Sequence, residues 1–184
     1  MPDPHEGELI DLESVDIDLR NPYLAAFLAW LVPGLGHCYQ RRYYKALLFF
    51  LCIVPTFVAG CALASSAEIG TARNVYWSWR PADMRYWWLA QASLGIAALP
   101  AGIQAWQVNA GLPPMFGNFM APPRRFHEDR KGIPPTIDVI RQKTPHYELA
   151  TYLTVIAGLM NILVIFDALG GPFAGRRRTD KQDS

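Results

Sequence analysis

The sequence predicts an all-α membrane protein, a multi-pass transmembrane helical bundle of about four spans with a long Pro-rich extramembrane loop. Two observations lead to this prediction. Only 18% of the 184 residues are charged, whereas an ordinary soluble domain has roughly 25%. The charges are also segregated, so several uncharged stretches approach the roughly 20 apolar residues that a helix needs to cross a bilayer.

We predict a four-helix membrane domain over residues 21–172. Its spans lie at about residues 22–39, 46–64, 86–108 and 149–169. The second and third contain no charged residue, and the fourth contains only Asp167, close enough to its end to reach the interface. The first is interrupted by Pro33-Gly34-Leu35-Gly36, so it is either a short span or a re-entrant segment, and we favour a span.

Polar segments surround these spans. Residues 1–20 hold seven acidic residues and one arginine, which predicts a solvated, mobile acidic tail. Residues 173–184 predict a basic polar tail suited to anionic lipid. The loop at residues 109–148 contains three Pro-Pro pairs and is expected to be stiff and extramembrane. Basic residues divide almost evenly between the two sides of a four-span topology. The bases close to the helix ends count most, and they slightly favour both termini in the cytoplasm.

The residue pattern argues against an enzyme. We find no His-Glu-x-x-His motif and no zinc-type cysteine pair, and no charged residue lies in the middle of a span. Acid–base catalysis and ion-coupled transport are therefore disfavoured, and we predict no metal and no cofactor. A metal site at His127–Asp129 and lipid attachment at Cys61 are the weak alternatives. The net charge of +1 gives no support to nucleic-acid binding.

Gln91, Gln104 and Asn161 are neutral polar residues inside predicted spans, and intramembrane polar residues are candidates for function. The site candidates among them are Gln91 and Asn161. Each shares a helix face with small or weakly polar residues. Such faces are how helices approach one another in lipid. Packing is therefore the favoured interpretation, and a polar path is the alternative.

The most distinctive stretch is a hairpin motif between the first two spans. Its candidate residues, structural or interacting, are Pro33, Gly34, Gly36, His37, Tyr39, Gln40 and Arg42. The proline and glycines break a helix and free backbone carbonyls, which the polar side chains are placed to satisfy. We favour structural closure of the hairpin, and the alternative is recognition of lipid headgroups or a partner by Arg41, Arg42 and Lys45.

The core of this motif, Pro-Gly-Leu-Gly-His-x-Tyr-Gln at residues 33–40, resembles the hairpin of the two-transmembrane-helix domain. Two more motifs accompany it, at residues 117–123 (Gly-Asn-Phe-Met-Ala-Pro-Pro) and 156–161 (Ile-Ala-Gly-Leu-Met-Asn), the latter followed by Asp167-Ala168. Together they resemble an uncharacterised family of four-helix inner-membrane proteins from planctomycete-type bacteria. The resemblance implies an inner-membrane location and transfers no catalytic residue.

The chain departs from that resemblance at the turn, where Arg41 stands in the usual place of a glycine. Either the turn needs no left-handed residue, or its geometry differs.

We therefore expect a non-enzymatic integral membrane protein, a scaffold or accessory subunit that contacts lipid, a membrane protein partner or a second copy of itself. The alternative is a small oligomeric transport or lipid-handling protein with Gln91 and Asn161 around a polar path. An enzyme that uses His37 or the His127–Asp129 loop is the least favoured reading.

Overall fold

The computed structural model describes residues 21–79, 85–123 and 136–170, and over these ranges the predicted all-helical class is confirmed. The helices are α1 (Pro22–Leu31), α2 (Leu35–Tyr39), α3 (Tyr43–Leu63), α4 (Trp87–Ala92), α5 (Leu99–Asn109), α6 (Ile137–Lys143) and α7 (Tyr147–Gly170). Short 3-10 turns lie at Gly95–Ala97 and Phe116–Asn118. The predicted acidic and basic tails and the His127–Asp129 segment lie outside the described residues.

The two longest helices, α3 and α7, are the described helices long and apolar enough to cross a membrane. They pack antiparallel. Lys45 at the start of α3 lies beside Asp167 near the end of α7, whereas Gly60 near the end of α3 lies against Ala150 and Thr154. We call the end of the bundle that holds residues 40–42 the turn end, and the opposite end, with residues 64–79 and 110–123, the loop end.

The outer faces of these two helices are apolar. Only 22% of the most apolar stretch of α3 is buried, which distinguishes it from the core helix of a soluble protein. The large side chains that α3 and α7 expose include Leu47, Leu48, Phe50, Leu51, Val58, Leu149, Ile156, Leu159, Leu163 and Phe166. Fully buried positions of α7, in contrast, include the polar residues Thr154 and Asn161. Apolar outside and polar inside is the arrangement that suits a lipid environment.

The first predicted span is not one continuous helix. The Asn21 side chain caps α1 by accepting the N–H groups of Tyr23 and Leu24, at 3.0 and 3.3 Å. Val32 precedes a proline and is extended, so α1 ends at Leu31. After Gly34 turns the chain, α2 folds back on α1.

The close return of α2 explains the second glycine of the motif. A Cβ atom on Gly36 would overlap the carbonyl oxygen of Ala25 and crowd the side chain of Ala29. We call α1 and α2 the first helical hairpin. It starts at the turn end, and its tip lies inside the bundle.

The third predicted span is interrupted as well. After α4, Gly95 adopts a positive φ of +55°. A Cβ atom there would overlap the carbonyl oxygen of Trp30. Pro100 lies in the first turn of α5, where a proline is well tolerated. Both features separate α4 from α5 and make a second helical hairpin.

The second helical hairpin starts and finishes at the loop end. Gly102 of α5 lies against the ring of Trp77, which packs on Trp88 at the start of α4 with ring centroids 5.4 Å apart. Its tip meets the first hairpin, because Trp30 Nε1 donates to the carbonyl of Ala92 at 3.1 Å. Gly158, midway along α7, packs on the backbone of Ala90. Two long helices and two opposed helical hairpins therefore replace four continuous predicted spans.

The contact between α7 and α4 makes a testable prediction about Gly158. Alanine inside a helix is normally about 1 kcal/mol more favourable than glycine. A Cβ atom on Gly158 would overlap the carbonyl group of Ala90, however. We therefore expect Gly158→Ala to lower the free energy of unfolding by about 2 kcal/mol in detergent.

Gly170→Ala is the matched control in the same helix, since nothing lies within 4 Å of a Cβ atom there. It should leave the midpoint of thermal unfolding unchanged or slightly raised. Equal midpoints for the two variants would contradict the close packing of α4 on α7.

Candidate functional site

At the turn end, the hairpin motif meets the end of α7. The side chain of His37 is fully buried, and its Nε2 atom lies 2.7 Å from Oδ2 of Asp167. Gln40 Nε2 donates to the carbonyl of Ala168 at 2.8 Å. The ring of Phe49 packs edge-on against His37, with centroids 5.0 Å apart. Two segments more than 120 residues apart in the chain therefore form one polar site.

This site gathers several positive groups around one carboxylate. Arg42 Nη2 lies 3.4 Å and Lys45 Nζ 3.3 Å from the same Oδ2 atom of Asp167. The carboxylate is one-quarter exposed and the lysine about half exposed. Because two permanent cations face a single anion, the turn end keeps an excess of positive charge.

The turn between α2 and α3 shows whether Arg41 takes the left-handed conformation that a glycine would take there. Its φ is +61°, so the left-handed position of the turn is retained and an arginine occupies it. A residue with a Cβ atom in this conformation costs about 1 kcal/mol relative to glycine. Arg41, Tyr43, Tyr44 and Lys45 are all exposed, Tyr44 by 93%. We call these four residues the turn surface.

The other residues of the motif have structural positions. Gly34 has a φ of +87°, and a Cβ atom there would overlap the carbonyl oxygen of Ala46 at the start of α3. Pro33 is buried beside it at the tip of the hairpin. Tyr39 packs against the main apolar core. The structure thus brings the predicted motif residues together as one folded unit.

Asn161 lies at the middle of α7 and joins both hairpins. Its Nδ2 atom donates to the carbonyl of Ala29 in α1, at 3.2 Å, and to the carbonyl of Ser93 after α4, at 2.6 Å. Ser93 in turn donates its hydroxyl toward the carbonyl of Gly158, at 2.6 Å. The two bonds of Asn161 satisfy carbonyls that the helix breaks leave free, whereas the Ser93 hydroxyl links the second hairpin to the middle of α7.

Gln91 makes a second polar contact, with Thr154, about two helical turns from Asn161 along α7. Its Nε2 atom donates to Thr154 Oγ1 at 2.8 Å and to the carbonyl of Asn74 at 3.3 Å. The side-chain oxygens of Gln91, Asn74 and Asn161 are buried without a hydrogen-bond partner. Both predicted intramembrane polar residues therefore contact other helices through their amide nitrogens.

Sequence analysis did not identify Asp167 as a site residue. A lone acidic residue near the end of an apolar segment, facing a basic motif, was the available signal. Four spans would place it on the opposite side of the membrane from residues 40–42, so no pairing could be inferred. Among the described residues, no group of three or more His, Cys, Asp or Glu could hold a metal ion.

Comparison with known proteins gives the family. A family model described as "Family of unknown function (DUF6677)" matches residues 24–181, which is most of the chain. The chain belongs to the DUF6677 family. The DUF6677 match covers both hairpins, α3 and α7, and brings no activity with it. Neither the curated proteins nor the solved structures that were searched gave a match. The planctomycete origin and the link to the two-transmembrane-helix domain stay predictions.

The pairing at the turn end predicts a large effect for Asp167→Asn. The substitution removes the negative charge from a buried histidine and two cations while keeping the size of the side chain. We expect a loss of about 2 kcal/mol in the free energy of unfolding, because cations would stay clustered without an anion. Denaturant unfolding in detergent measures it.

Asp138→Asn is the matched control, since Asp138 is exposed and lies in the first turn of α6. It should change the free energy of unfolding by no more than about 0.5 kcal/mol. Similar losses for both variants would mean that the cluster around Asp167 does not stabilise the fold.

Proposed function

We propose that this DUF6677 chain is a bacterial inner-membrane protein that crosses the bilayer with α3 and α7 and dips into it with the two helical hairpins. The contact between His37 and Asp167 supports this topology. If residues 86–108 crossed the membrane between α3 and α7, residues 40–42 and the end of α7 would lie on opposite sides. The contact therefore favours a re-entrant second hairpin, and the close return of α2 onto α1 favours a re-entrant first hairpin.

The hydrogen bonds at the hairpin tips are also consistent with a membrane location. Broken helices occur at membrane depth only where protein groups satisfy the freed backbone. Here Asn161 and Trp30 supply the donors. The tips are also enclosed by small residues, which allows the backbones to approach closely.

We further propose that the protein is a non-enzymatic scaffold or accessory subunit that acts through the turn surface. The strained Arg41 is the observation that carries this proposal. An exposed arginine in a left-handed conformation lowers stability where a glycine would not. A residue that costs stability while exposing its charge is best explained by contact with another molecule. Its neighbours Tyr44 and Lys45 suit an acidic partner at the membrane surface.

The alternative, a small oligomeric transport or lipid-handling protein, has one supporting observation. Three buried amide oxygens, on Asn74, Gln91 and Asn161, have no partner. Gly95 and Gly158 are packed against backbone there, however, and a polar path would have to open between them. Interaction therefore remains the favoured function.

The two-crossing topology predicts which sites share a side of the membrane. Cys38, Cys52 and Cys61 are first replaced by serine, and a single cysteine is then introduced at each tested site. An impermeant maleimide added to one side of the membrane should label only the cysteines that face that side. We expect Tyr44→Cys to label with Ser184→Cys, and Thr71→Cys with Leu112→Cys from the opposite side. A four-span topology would instead place Tyr44 and Leu112 on the same side, so the labelling distinguishes the two topologies.

The functional proposal predicts that Arg41→Gly stabilises the fold but weakens the contact between the turn surface and its partner. The glycine should raise the free energy of unfolding by about 1 kcal/mol, because it removes the backbone strain. It should also lower the affinity for the partner about fivefold, since one basic residue near a charged surface contributes about 1 kcal/mol to binding. The readout is crosslinking in native membranes from a photoreactive residue at position 44.

Arg41→Lys is the control, because it keeps both the strain and the charge, and its crosslinking should match that of the wild type. A protein adduct shifts on a gel by the mass of the partner, and a lipid adduct does not, so the assay identifies the class of partner. Unchanged crosslinking in Arg41→Gly, or purification that returns neither a stoichiometric partner nor a self-oligomer, would count against the proposal.

A further inference from the structure

The loop end holds a second basic cluster, which none of the contacts above explains. Tyr147 is the first residue of α7 and is almost fully buried. Arg85 donates from Nη1 to its hydroxyl at 3.0 Å, and the Arg85 guanidinium carbon lies 4.4 Å from the centroid of the Tyr76 ring. The same two tyrosines are the electrostatic neighbours of a second arginine, Arg73.

Arg73 is among the largest fully buried side chains of the protein, with 0% exposure. Its Nη1 atom donates to the carbonyl of Asn118 at 3.3 Å, whereas Nε and Nη2 have no hydrogen-bond partner in the described part of the chain. Burial lowers the pKa of Arg73 to about 10, so the group is still charged at neutral pH. In residues 21–79, 85–123 and 136–170, no carboxylate forms an ion pair with Arg73 or Arg85.

The groups left unsatisfied around Tyr147 include several hydrogen-bond donors. Besides the two nitrogens of Arg73, the buried hydroxyl of Thr144 has no partner, and the carbonyl of that threonine accepts the N–H of Tyr147. The N-terminus of a long helix adds partial positive charge at the same place. Buried positive charge that lacks a counter-ion is strongly unfavourable. The described residues supply no anionic acceptor for these groups.

A third arginine near Tyr147, Arg141, already has a carboxylate partner. Arg141 lies with its guanidinium carbon 5.8 Å from the centroid of the Tyr147 ring. It is paired with Glu148 at 3.2 Å and is more than half exposed. Arg141 therefore needs no further anion, and it serves as a matched control.

The surroundings of Arg85 indicate where the anion would come from. Arg85 is only partly buried, and the next two residues, Tyr86 and Trp87, are 71% and 52% exposed. Exposed aromatic side chains at the end of an apolar bundle are typical of the headgroup level of a bilayer. The most abundant oxyanion there is phosphate, and its oxygens match the forked donors of a guanidinium.

We propose that Arg73 and Arg85 form a binding site for one phosphate group at the loop end, supplied by a phospholipid headgroup or by free phosphate. Arg85 is the accessible donor, and Arg73, which shares Tyr76 and Tyr147 as neighbours with it, supplies two unpaired nitrogens. The site lies at the opposite end of the bundle from the turn surface, and it is independent of the function proposed there.

The test uses the purified full-length protein in an uncharged detergent. Its thermal unfolding midpoint is titrated with sodium phosphate, against sodium chloride of equal ionic strength. A parallel titration uses phosphatidylglycerol, against diacylglycerol, which lacks the phosphate. We expect a saturable rise with one phosphate probe or both. A response to the lipid alone identifies a headgroup site, and a response to inorganic phosphate identifies a free-ion site.

The variants assign the effect to the two arginines. Arg85→Gln should weaken the apparent affinity about tenfold or more, because a charge-assisted hydrogen bond is lost. Arg73→Gln should do the same, and Arg141→Gln should match the wild type. Should Arg73→Gln fail to fold, the apparent affinities of Arg85→Gln and Arg141→Gln are enough to test the proposal. No saturable response to either probe, or equal affinities for those two variants, overturns the proposal.

Discussion

The fold depends on one amide group at the centre of α7. Both helical hairpins end inside the bundle, where their last carbonyls have no helical partner. Asn161 donates to one carbonyl from each of them, at Ala29 and Ser93. In an apolar environment each unsatisfied carbonyl costs several kcal/mol. Each hairpin is therefore stable only when it is docked on α7, and the two are linked through the same side chain.

This linkage requires backbones that approach closely. The amide of Asn161 reaches both hairpins because small residues line the contact: Ala29 is completely buried, and Gly95 and Gly158 lie directly against carbonyl groups of the neighbouring segments. Small residues and polar donors thus act together. The small residues set the distance between helices, and the donors satisfy the groups that this distance brings together.

The sequence predicted α3 and α7 well because length and lack of charge are enough to identify a long apolar helix. The same criteria cannot separate one spanning helix from two half-helices, since both need a similar number of apolar residues. Pro33 and Gly34 signalled the first break, whereas Gly95 was interpreted as part of a packing face. The hairpin motif is recognisable from its residues, whereas its partner Asp167 is not, because the four-span prediction places the two on opposite sides of the membrane.

The charges at the two ends of α7 follow from the direction of the helix. Its C-terminal end carries partial negative charge, which adds to that of Asp167, and Arg42 and Lys45 face both. Its N-terminal end carries partial positive charge, yet Arg73 and Arg85 lie there without a carboxylate in the described part of the chain. The cations at one end of α7 face a carboxylate, whereas the described residues place none beside those at the other end.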